Sequence, residues 1–210
     1  MAGNVMNKAL IFLLSPLLLG LAACGGGQQA EQGALAGARI GGPFTLTDQD
    51  GRKRSWDSFR GQYRLVYFGY TYCPDVCPVD LQHIMQAFAR FEKQSPALAA
   101  KVQPIFITLD PERDAPPVLK TYVAAFHPRL IGLTGTPDEI AKVARDFVVI
   151  YGKADEKGPK DYLVSHSRTP YLFGPDGAPI ALVPVDDPGT ADKDEGGPDA
   201  VLAALDHWVK

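Results

Sequence analysis

The amino-acid sequence predicts one α/β domain in which helices cover a mixed β-sheet. Apolar runs at residues 65–70 and 102–109 are typical of strands, the second of the buried parallel type. Segments that place apolar residues three and four positions apart follow these runs, the pattern of amphipathic helices. Late in the chain, two more apolar segments flank the turn Pro175-Asp176-Gly177, which predicts a hairpin. This order of elements fits a thioredoxin-like sandwich best.

The first 23 residues are expected to be a lipoprotein signal peptide. Lys8 precedes an apolar run at residues 9–19 that is too short for a membrane span. The run ends in Leu21-Ala22-Ala23-Cys24, which resembles the bacterial lipobox. We therefore expect cleavage before Cys24 and attachment of lipid to that cysteine. The alternative is a plain signal peptide or a short anchor with an incidental cysteine.

Residues 24–39 are predicted to form a flexible tether, because a stretch rich in Gly, Gln and Ala cannot bury a core. Residues 40–210 are then the folded thioredoxin-like domain. The chain has 210 residues, 46% of them hydrophobic, which suits one domain with a substantial core. The signal contains one of the 21 basic residues and none of the 24 acidic ones, so the remainder carries a net charge of about −4. This charge argues against a nucleic-acid partner.

The periodicity also predicts where each element lies. Alternating residues around Asp50-Gly51 indicate an N-terminal hairpin, and Thr136-Pro137-Asp138-Glu139 is typical of a helix start. A polar stretch at residues 152–161 is expected to be a long loop inserted before the last strands. The predicted strands cover residues 44–47, 52–56, 64–69, 102–109, 130–133, 163–173 and 180–185, and the predicted helices residues 79–94, 116–126, 137–146 and 199–209.

Two cysteines, Cys73 and Cys77, lie where the strand at residues 64–69 gives way to a helix. Such a junction places a thiol near unpaired N–H groups and the positive end of the helix dipole, which favours thiolate. If the segment is helical, the two Cβ atoms lie roughly 5–6 Å apart on one face, close enough to share a metal ion or, with adjustment, to form a disulfide. A permanent disulfide is the structural alternative, although so small a loop would remove little entropy from the unfolded chain.

His166 is a candidate third ligand, since it stands between the inserted polar stretch and a predicted strand. Imidazole binds copper and zinc, and two thiolates with one imidazole suit Cu(I) or a thiolate-bound Cu(II). Zinc would require a fourth ligand, and no further cysteine is free once Cys24 carries lipid. A surface histidine is the alternative interpretation from the residues alone.

The remaining candidates have ordinary structural explanations. Asp75 lies inside the cysteine loop and suits a turn. Asp110 ends a central strand, where open α/β sheets place their sites, with a helix cap as the alternative. Met85 falls on an apolar helix stripe and is expected in the core. Three further histidines are expected to lie outside any site, two of them within helices and His127 at a helix end before Pro128: His83, His127 and His207.

Three motifs in order resemble the Sco/SenC family, membrane-tethered copper proteins with a thioredoxin fold that are associated with cytochrome c oxidase assembly. The matching segments are residues 68–78 around the cysteine pair, residues 106–114 with Asp110, and His166-Ser167 followed by residues 171–177. Together they span the folded domain. Pro170 is a departure, because it removes a backbone donor from the presumed strand and indicates an edge or bulge there.

The resemblance implies that Cys73, Cys77 and His166 bind one copper ion, Cu(I) or Cu(II), with the inserted loop closing over the site. Asp110 matches an acidic position near the site, and Asp75 is a second candidate for supporting contacts. The implied function is a copper chaperone that assists assembly of the dinuclear copper centre of cytochrome c oxidase.

The implied location is the periplasmic side of a bacterial membrane, the inner membrane being favoured. The implied partners are the copper-bearing subunit of the oxidase, other periplasmic copper chaperones, thiol reductants and, through the N-terminal lipid, the membrane.

A thiol–disulfide oxidoreductase that reduces cysteines of a periplasmic client is the alternative function. It requires only Cys73 and Cys77 and gives His166 no role, and it is the one enzymatic activity that the residues support. A peroxidase of the peroxiredoxin kind fits poorly, because neither the paired spacing nor His166 has a place in that mechanism. Oxidation of the cysteine pair would eject copper, so chaperone and redox functions are compatible.

Overall fold

The computed structural model describes residues 33–158, 161–186 and 195–210 together with Met1, so the predicted signal and Cys24 lie outside the described residues. Within these ranges no helix is long and apolar enough to cross a membrane. The last residues of the predicted tether are described. They include a turn at residues 34–37, and Leu35 N–H donates to Ile180 O at 3.0 Å. This end of the tether therefore contacts the folded domain.

The observed elements follow the predicted order. The strands are β1 Thr45–Asp48, β2 Lys53–Ser55, β3 Tyr63–Gly69, β4 Val102–Thr108, β5 Ile131–Thr134, β6 Tyr151–Gly158, β7 Asp161–His166, β8 Tyr171–Phe173 and β9 Pro179–Leu182. The helices are α1 Val76–Gln94, α2 Pro96–Ala99, α3 Pro116–Ala124, α4 Pro137–Asp146 and α5 Pro198–Trp208, with a 3₁₀ helix at Trp56–Phe59. The short α2 and the 3₁₀ helix were not predicted from the periodicity.

Seven strands form one mixed sheet in the order β2-β1-β5-β4-β3-β8-β9, and β6 and β7 form a separate two-stranded sheet. The three central strands β3, β4 and β5 are parallel, whereas β8 runs antiparallel to β3. The unit β3-α1-β4 followed by β8-β9-α5 has the strand order of a thioredoxin-like fold. The predicted fold class is therefore confirmed, together with its mixed sheet and its N-terminal hairpin β1–β2.

The core forms where the apolar runs predicted it. All seven residues of β3 are buried, as expected for a central strand covered on both faces. Helix α1 packs against α5 and buries the apolar residues whose spacing predicted a helix here: Leu81, Ile84, Met85, Phe88 and Phe91. Helix α4 begins with a capping box, in which Thr136 Oγ1 accepts from Glu139 N–H at 3.2 Å and Glu139 Oε2 accepts from Thr136 N–H at 2.8 Å.

Helix α1 begins at Val76, three residues earlier than the predicted start at residue 79. Cys77 consequently lies in the first turn of the helix, whereas Cys73 lies in the loop before it. The two cysteines therefore do not share one helical face, because Cys73 precedes the helix.

The insertion before His166 was predicted as a loop and is instead a β-hairpin. Strand β6 pairs antiparallel with β7, and Tyr151 lies opposite His166 in the register. Residues 152–158 lack alternating apolar residues, so pairing with β7 rather than burial makes this segment a strand. The metal-ligand candidate thus stands on an ordered two-stranded sheet.

The single strand predicted over residues 163–173 is also corrected. It divides into β7, which ends at His166, and β8, which begins at Tyr171, and these belong to different sheets. Pro170 lies in the break between the two strands. Because proline has no backbone N–H to donate, it is not expected inside a paired strand. Its carbonyl still accepts from Val183 N–H at 2.9 Å.

Candidate metal centre

Both thiols lie at the carboxyl end of β3 and the start of α1. Cys77 is fully buried and Cys73 is half-buried. The backbone N–H of Cys77 donates to Cys73 Sγ at 3.4 Å, and Cys73 N–H donates to Tyr70 O at 3.3 Å. Gly69 leaves room for the inner thiol, because a Cβ at that position would lie 3.3 Å from Cys77 Sγ. Neither thiol is in a disulfide.

His166, the last residue of β7, brings its ring against the thiols. Its Nε2 lies 3.0 Å from Cys77 Sγ, and its Nδ1 lies 2.9 Å from the carbonyl oxygen of Ser167. A carbonyl can only accept, so Nδ1 carries the proton and the Nε2 lone pair faces the sulfurs. Tyr70 supports the ring from the side in an edge-to-face contact, with ring centroids 6.0 Å apart.

Cys73, Cys77 and His166 together form a set able to hold a metal ion, with their ligand atoms within 4.8 Å of one another. Among the described residues this is the one such group of three or more His, Cys, Asp and Glu side chains. Two thiolates and one imidazole are soft donors in a low-coordinate arrangement, which fits copper better than a four-ligand zinc site. An open pocket of about 420 Å³ beside Cys73 and His166 gives access from solvent.

The two thiols have opposite proton affinities. The pKa of Cys73 is lowered, chiefly because the Cys77 thiol donates to it, with the backbone N–H groups of Asp75 and Cys77 adding to the effect. The pKa of Cys77 is raised by the neighbouring Cys73 sulfur and by burial. The pair therefore holds one proton on the buried sulfur, with thiolate character on the more exposed one.

Asp114 fixes the loop that carries Cys73, a role that the sequence analysis did not assign. This fully buried carboxylate accepts from Thr71 N–H at 3.0 Å, from Thr71 Oγ1 at 2.5 Å and from Thr108 Oγ1 at 2.5 Å. Since Thr108 ends β4 and Thr71 stands two residues before Cys73, the bonds tie the cysteine loop to the central sheet. The sequence signal that could have indicated this role is a threonine at or just after the end of each of two strands, Thr108 for β4 and Thr71 for β3.

Asp110 does not contact the thiols or His166. It is buried, accepts from Tyr162 Oη at 2.7 Å and forms an ion pair with Arg113. The Arg113 guanidinium also stacks over the Tyr162 ring at 3.7 Å and donates to Tyr162 O at 3.0 Å. Tyr162 belongs to β7, so this cluster clamps the hairpin onto the loop after β4. Asp110 thus supports the site by holding the strand that carries His166.

The other candidates stand apart from the ligand set. Asp75 occupies the cap position of α1 without a side-chain cap bond, although its backbone N–H helps to stabilise the Cys73 thiolate. Met85 is buried in the core, as expected. The remaining histidines contact other residues: His83 pairs with Asp186, His127 pairs with Glu92, and His207 makes an edge-to-face contact with Trp208.

Comparison with known proteins decides the family. The SCO1/SenC family model matches residues 32–193, most of the described domain and all three ligand candidates. The chain belongs to the SCO1/SenC family. The resemblance found in the three sequence motifs is therefore confirmed.

Curated relatives in the family include the mitochondrial Protein SCO2 homolog of Bos taurus. The SCO1/SenC chain is 46% identical to it over 153 residues, which are 72% of this chain and 57% of the relative. The chain therefore spans little more than half the length of that relative.

Solved structures of similar proteins cover more than four fifths of the chain. Bradyrhizobium japonicum ScoI, solved with copper bound, is 38% identical and superposes with a TM-score of 0.68 over 81% of this chain and 99% of that one. BsSco, a member of the Sco family of cytochrome c oxidase assembly proteins in which a disulfide switch was identified, is 26% identical. It has a TM-score of 0.61 over 85% of this chain and 96% of its own.

Replacing Tyr162 by phenylalanine should loosen the hairpin clamp. The change removes the hydroxyl donor to the buried Asp110 carboxylate, a bond to a charged group worth about 1.5–3 kcal/mol. We expect the free energy of unfolding in urea to fall by about that amount. Tyr151→Phe is the matched control on β6, because that hydroxyl has no hydrogen-bond partner among the described residues, and it should change stability by less than about 0.5 kcal/mol. Equal losses in the two variants would contradict the clamp.

Alkylation of the copper-free protein should report the unequal thiols. Because the Cys73 pKa is lowered, its thiolate persists at pH 6, where an ordinary thiol with a pKa of about 8.5 would be almost wholly protonated. We expect iodoacetamide to modify Cys73 at similar rates from pH 6 to 8, and Cys77 to stay unmodified while the protein is folded. Peptide mass spectrometry measures both. A rate at Cys73 that falls about tenfold per pH unit below 8 would contradict the lowered pKa.

Proposed function

We propose that this protein binds one copper ion through Cys73 Sγ, Cys77 Sγ and His166 Nε2 and assists assembly of the dinuclear copper centre of cytochrome c oxidase. The observation that carries the proposal is the convergence of these three atoms, with the imidazole lone pair directed at the sulfurs. The copper-bound ScoI structure and the description of BsSco as a member of a family of oxidase assembly proteins support it.

The chemistry of the ligand set favours copper as the cargo. Soft thiolates select Cu(I), and the same set with imidazole accommodates Cu(II). Cys73 and Cys77 supply the sulfurs, and the Ser167 carbonyl keeps the His166 ring in the tautomer that leaves Nε2 free. Both ionic forms of copper are therefore candidates for the bound state.

The pocket supports delivery of the ion to a partner. Cys73 lines the open pocket, whereas Cys77 is fully buried. A thiolate of the receiving protein therefore reaches the copper on the Cys73 side, and Cys73 is the first ligand to be exchanged. The proposed receiver is the copper-bearing subunit of the oxidase, with other periplasmic copper chaperones as donors and thiol reductants maintaining the pair.

The location is proposed from the N-terminal sequence. The lipobox-like end at Cys24 supports a lipid anchor on the periplasmic side of a bacterial membrane, preferably the inner one. The mitochondrial relatives share the folded domain but do not bear on this anchor. Mass spectrometry of the native protein tests it, since a diacylglyceryl group on Cys24 is required.

Copper titration of the reduced domain tests the binding proposal. We expect one equivalent of copper per chain, with a Cu(II)–thiolate absorption band, because three ligands converge on one point. His166→Ala should weaken binding about 100-fold and shift the band, since it removes the nitrogen ligand. His127→Ala is the control, because His127 contacts Glu92 and is not one of the three candidate ligands. Unchanged binding in His166→Ala, or no binding near one equivalent in the natural protein, would contradict the proposal.

Thiol–disulfide exchange is a second candidate function, favoured by the thiolate character of Cys73. In this reaction the Cys73 thiolate attacks a client disulfide and one client thiolate leaves. The Cys77 thiol then loses its proton and attacks Cys73 Sγ, which releases the second client thiolate and leaves a Cys73–Cys77 disulfide. Two electrons pass from the pair to the client. The same His166→Ala variant separates the functions, because it should retain full exchange activity.

A further inference from the structure

An ion pair joins the same two segments that carry Cys77 and His166. Arg168 Nη2 lies 2.5 Å from Asp80 Oδ1 and Arg168 Nε lies 3.0 Å from Asp80 Oδ2, a forked two-bond contact. Asp80 follows Cys77 by three residues on α1, and Arg168 follows His166 by two. The ion pair therefore joins α1 to the segment of His166 a second time, one helical turn after the Cys77–His166 contact.

The Asp80 carboxylate is buried, and both of its oxygens accept hydrogen bonds. Asp80 is only 2% exposed, and Tyr67 Oη donates to its Oδ2 at 2.8 Å beside the two donors of Arg168. It lies on the buried stripe of α1, spaced three and four residues from Cys77 and Ile84, where an apolar side chain would serve packing alone. A forked guanidinium–carboxylate contact fixes both the distance and the orientation of its partners.

In the part of the chain that the structure describes, no backbone hydrogen bond joins His166 to α1 or to the main sheet. In the described residues β7 pairs with β6 alone, and residues 167–170 after it form no strand. The clamp at Tyr162 holds the other end of β7, four residues before His166. Arg168 fastens the near end to the helix of Cys77, and it lines the same pocket as His166.

We propose that Asp80 and Arg168 are a positioning pair, which sets the distance between the His166 ring and the thiols and so tunes copper binding. This inference rests on the proposed function for the affinity of the site. It goes beyond that function in assigning two residues that do not touch the ion. Asp80 and Arg168 act through Cys77 and His166.

The test compares Arg168→Lys, Asp80→Asn and the double variant with the natural protein. Lysine keeps the charge but lacks the fork, and asparagine keeps the shape but lacks the charge. We expect each single variant to bind copper about 10–100-fold more weakly, with a shifted Cu(II)–thiolate band, since supporting contacts of ligands have effects of that size. The double variant should be no weaker than the weaker single one, because both changes break the same contact.

A second measurement uses the copper-free protein. The NMR signal of the His166 ring should be a single sharp resonance in the natural protein and should shift and broaden in Arg168→Lys, as the ring loses its fixed place. Arg129→Lys is the matched control. Arg129 pairs with Glu92 at 2.8 Å toward the other end of α1, and its replacement should alter neither the ring signal nor copper affinity.

The outcomes separate this inference from the proposed function. If the natural protein binds no copper, the proposed function fails, and the ring signal still decides the positioning role. If it binds copper and Arg168→Lys matches it in affinity, band and ring signal, the positioning pair alone is overturned. Additive losses in the double variant would also overturn it. Should Asp80→Asn not fold, Arg168→Lys and Arg168→Gln decide, and unfolding of all these variants would assign the pair to the fold rather than to the ligand.

Discussion

The contact between Cys77 Sγ and His166 Nε2 is the interaction on which the site depends. One atom belongs to α1, which packs into the core, and the other to a two-stranded sheet outside the main one. No strand pairing among the described residues joins these two parts of the molecule. Side chains therefore determine whether three ligand atoms meet, and polar networks around the site hold them there.

Separate polar networks hold the two halves of the site, the cysteine loop and the hairpin that carries His166. Asp114 ties the cysteine loop to the central sheet, Asp110 clamps the hairpin, and the Ser167 carbonyl orients the His166 ring. Each buried carboxylate is hydrogen-bonded, as the cost of desolvating a lone charge requires. These contacts fix the ligands from the protein interior, while the pocket beside Cys73 stays open to solvent. This arrangement suits a protein that binds an ion firmly and then transfers it.

The sequence predicted the parts of the site that depend on local pattern. An apolar strand followed by an amphipathic helix placed Cys73 and Cys77 correctly, although the helix begins earlier than its apolar stripe. His166 needed the family resemblance, since a single histidine carries no periodic signal. Strand β6 was missed because its residues lack apolar alternation, and pairing with β7 makes them a strand. Asp114 and Asp80 were missed because the partners that give them their roles, Thr71 and Arg168, lie 43 and 88 residues away in the chain, where periodicity carries no information.

X-ray absorption of the protein loaded with one equivalent of Cu(I) tests the central claim most directly, because it counts the atoms bound to the metal. We expect two sulfur atoms and one imidazole nitrogen per copper, the ligands being Cys73, Cys77 and His166. The nitrogen should disappear in His166→Ala while the two sulfurs remain. Three or more sulfur atoms per copper, or a spectrum of the natural protein without an imidazole contribution, would contradict it.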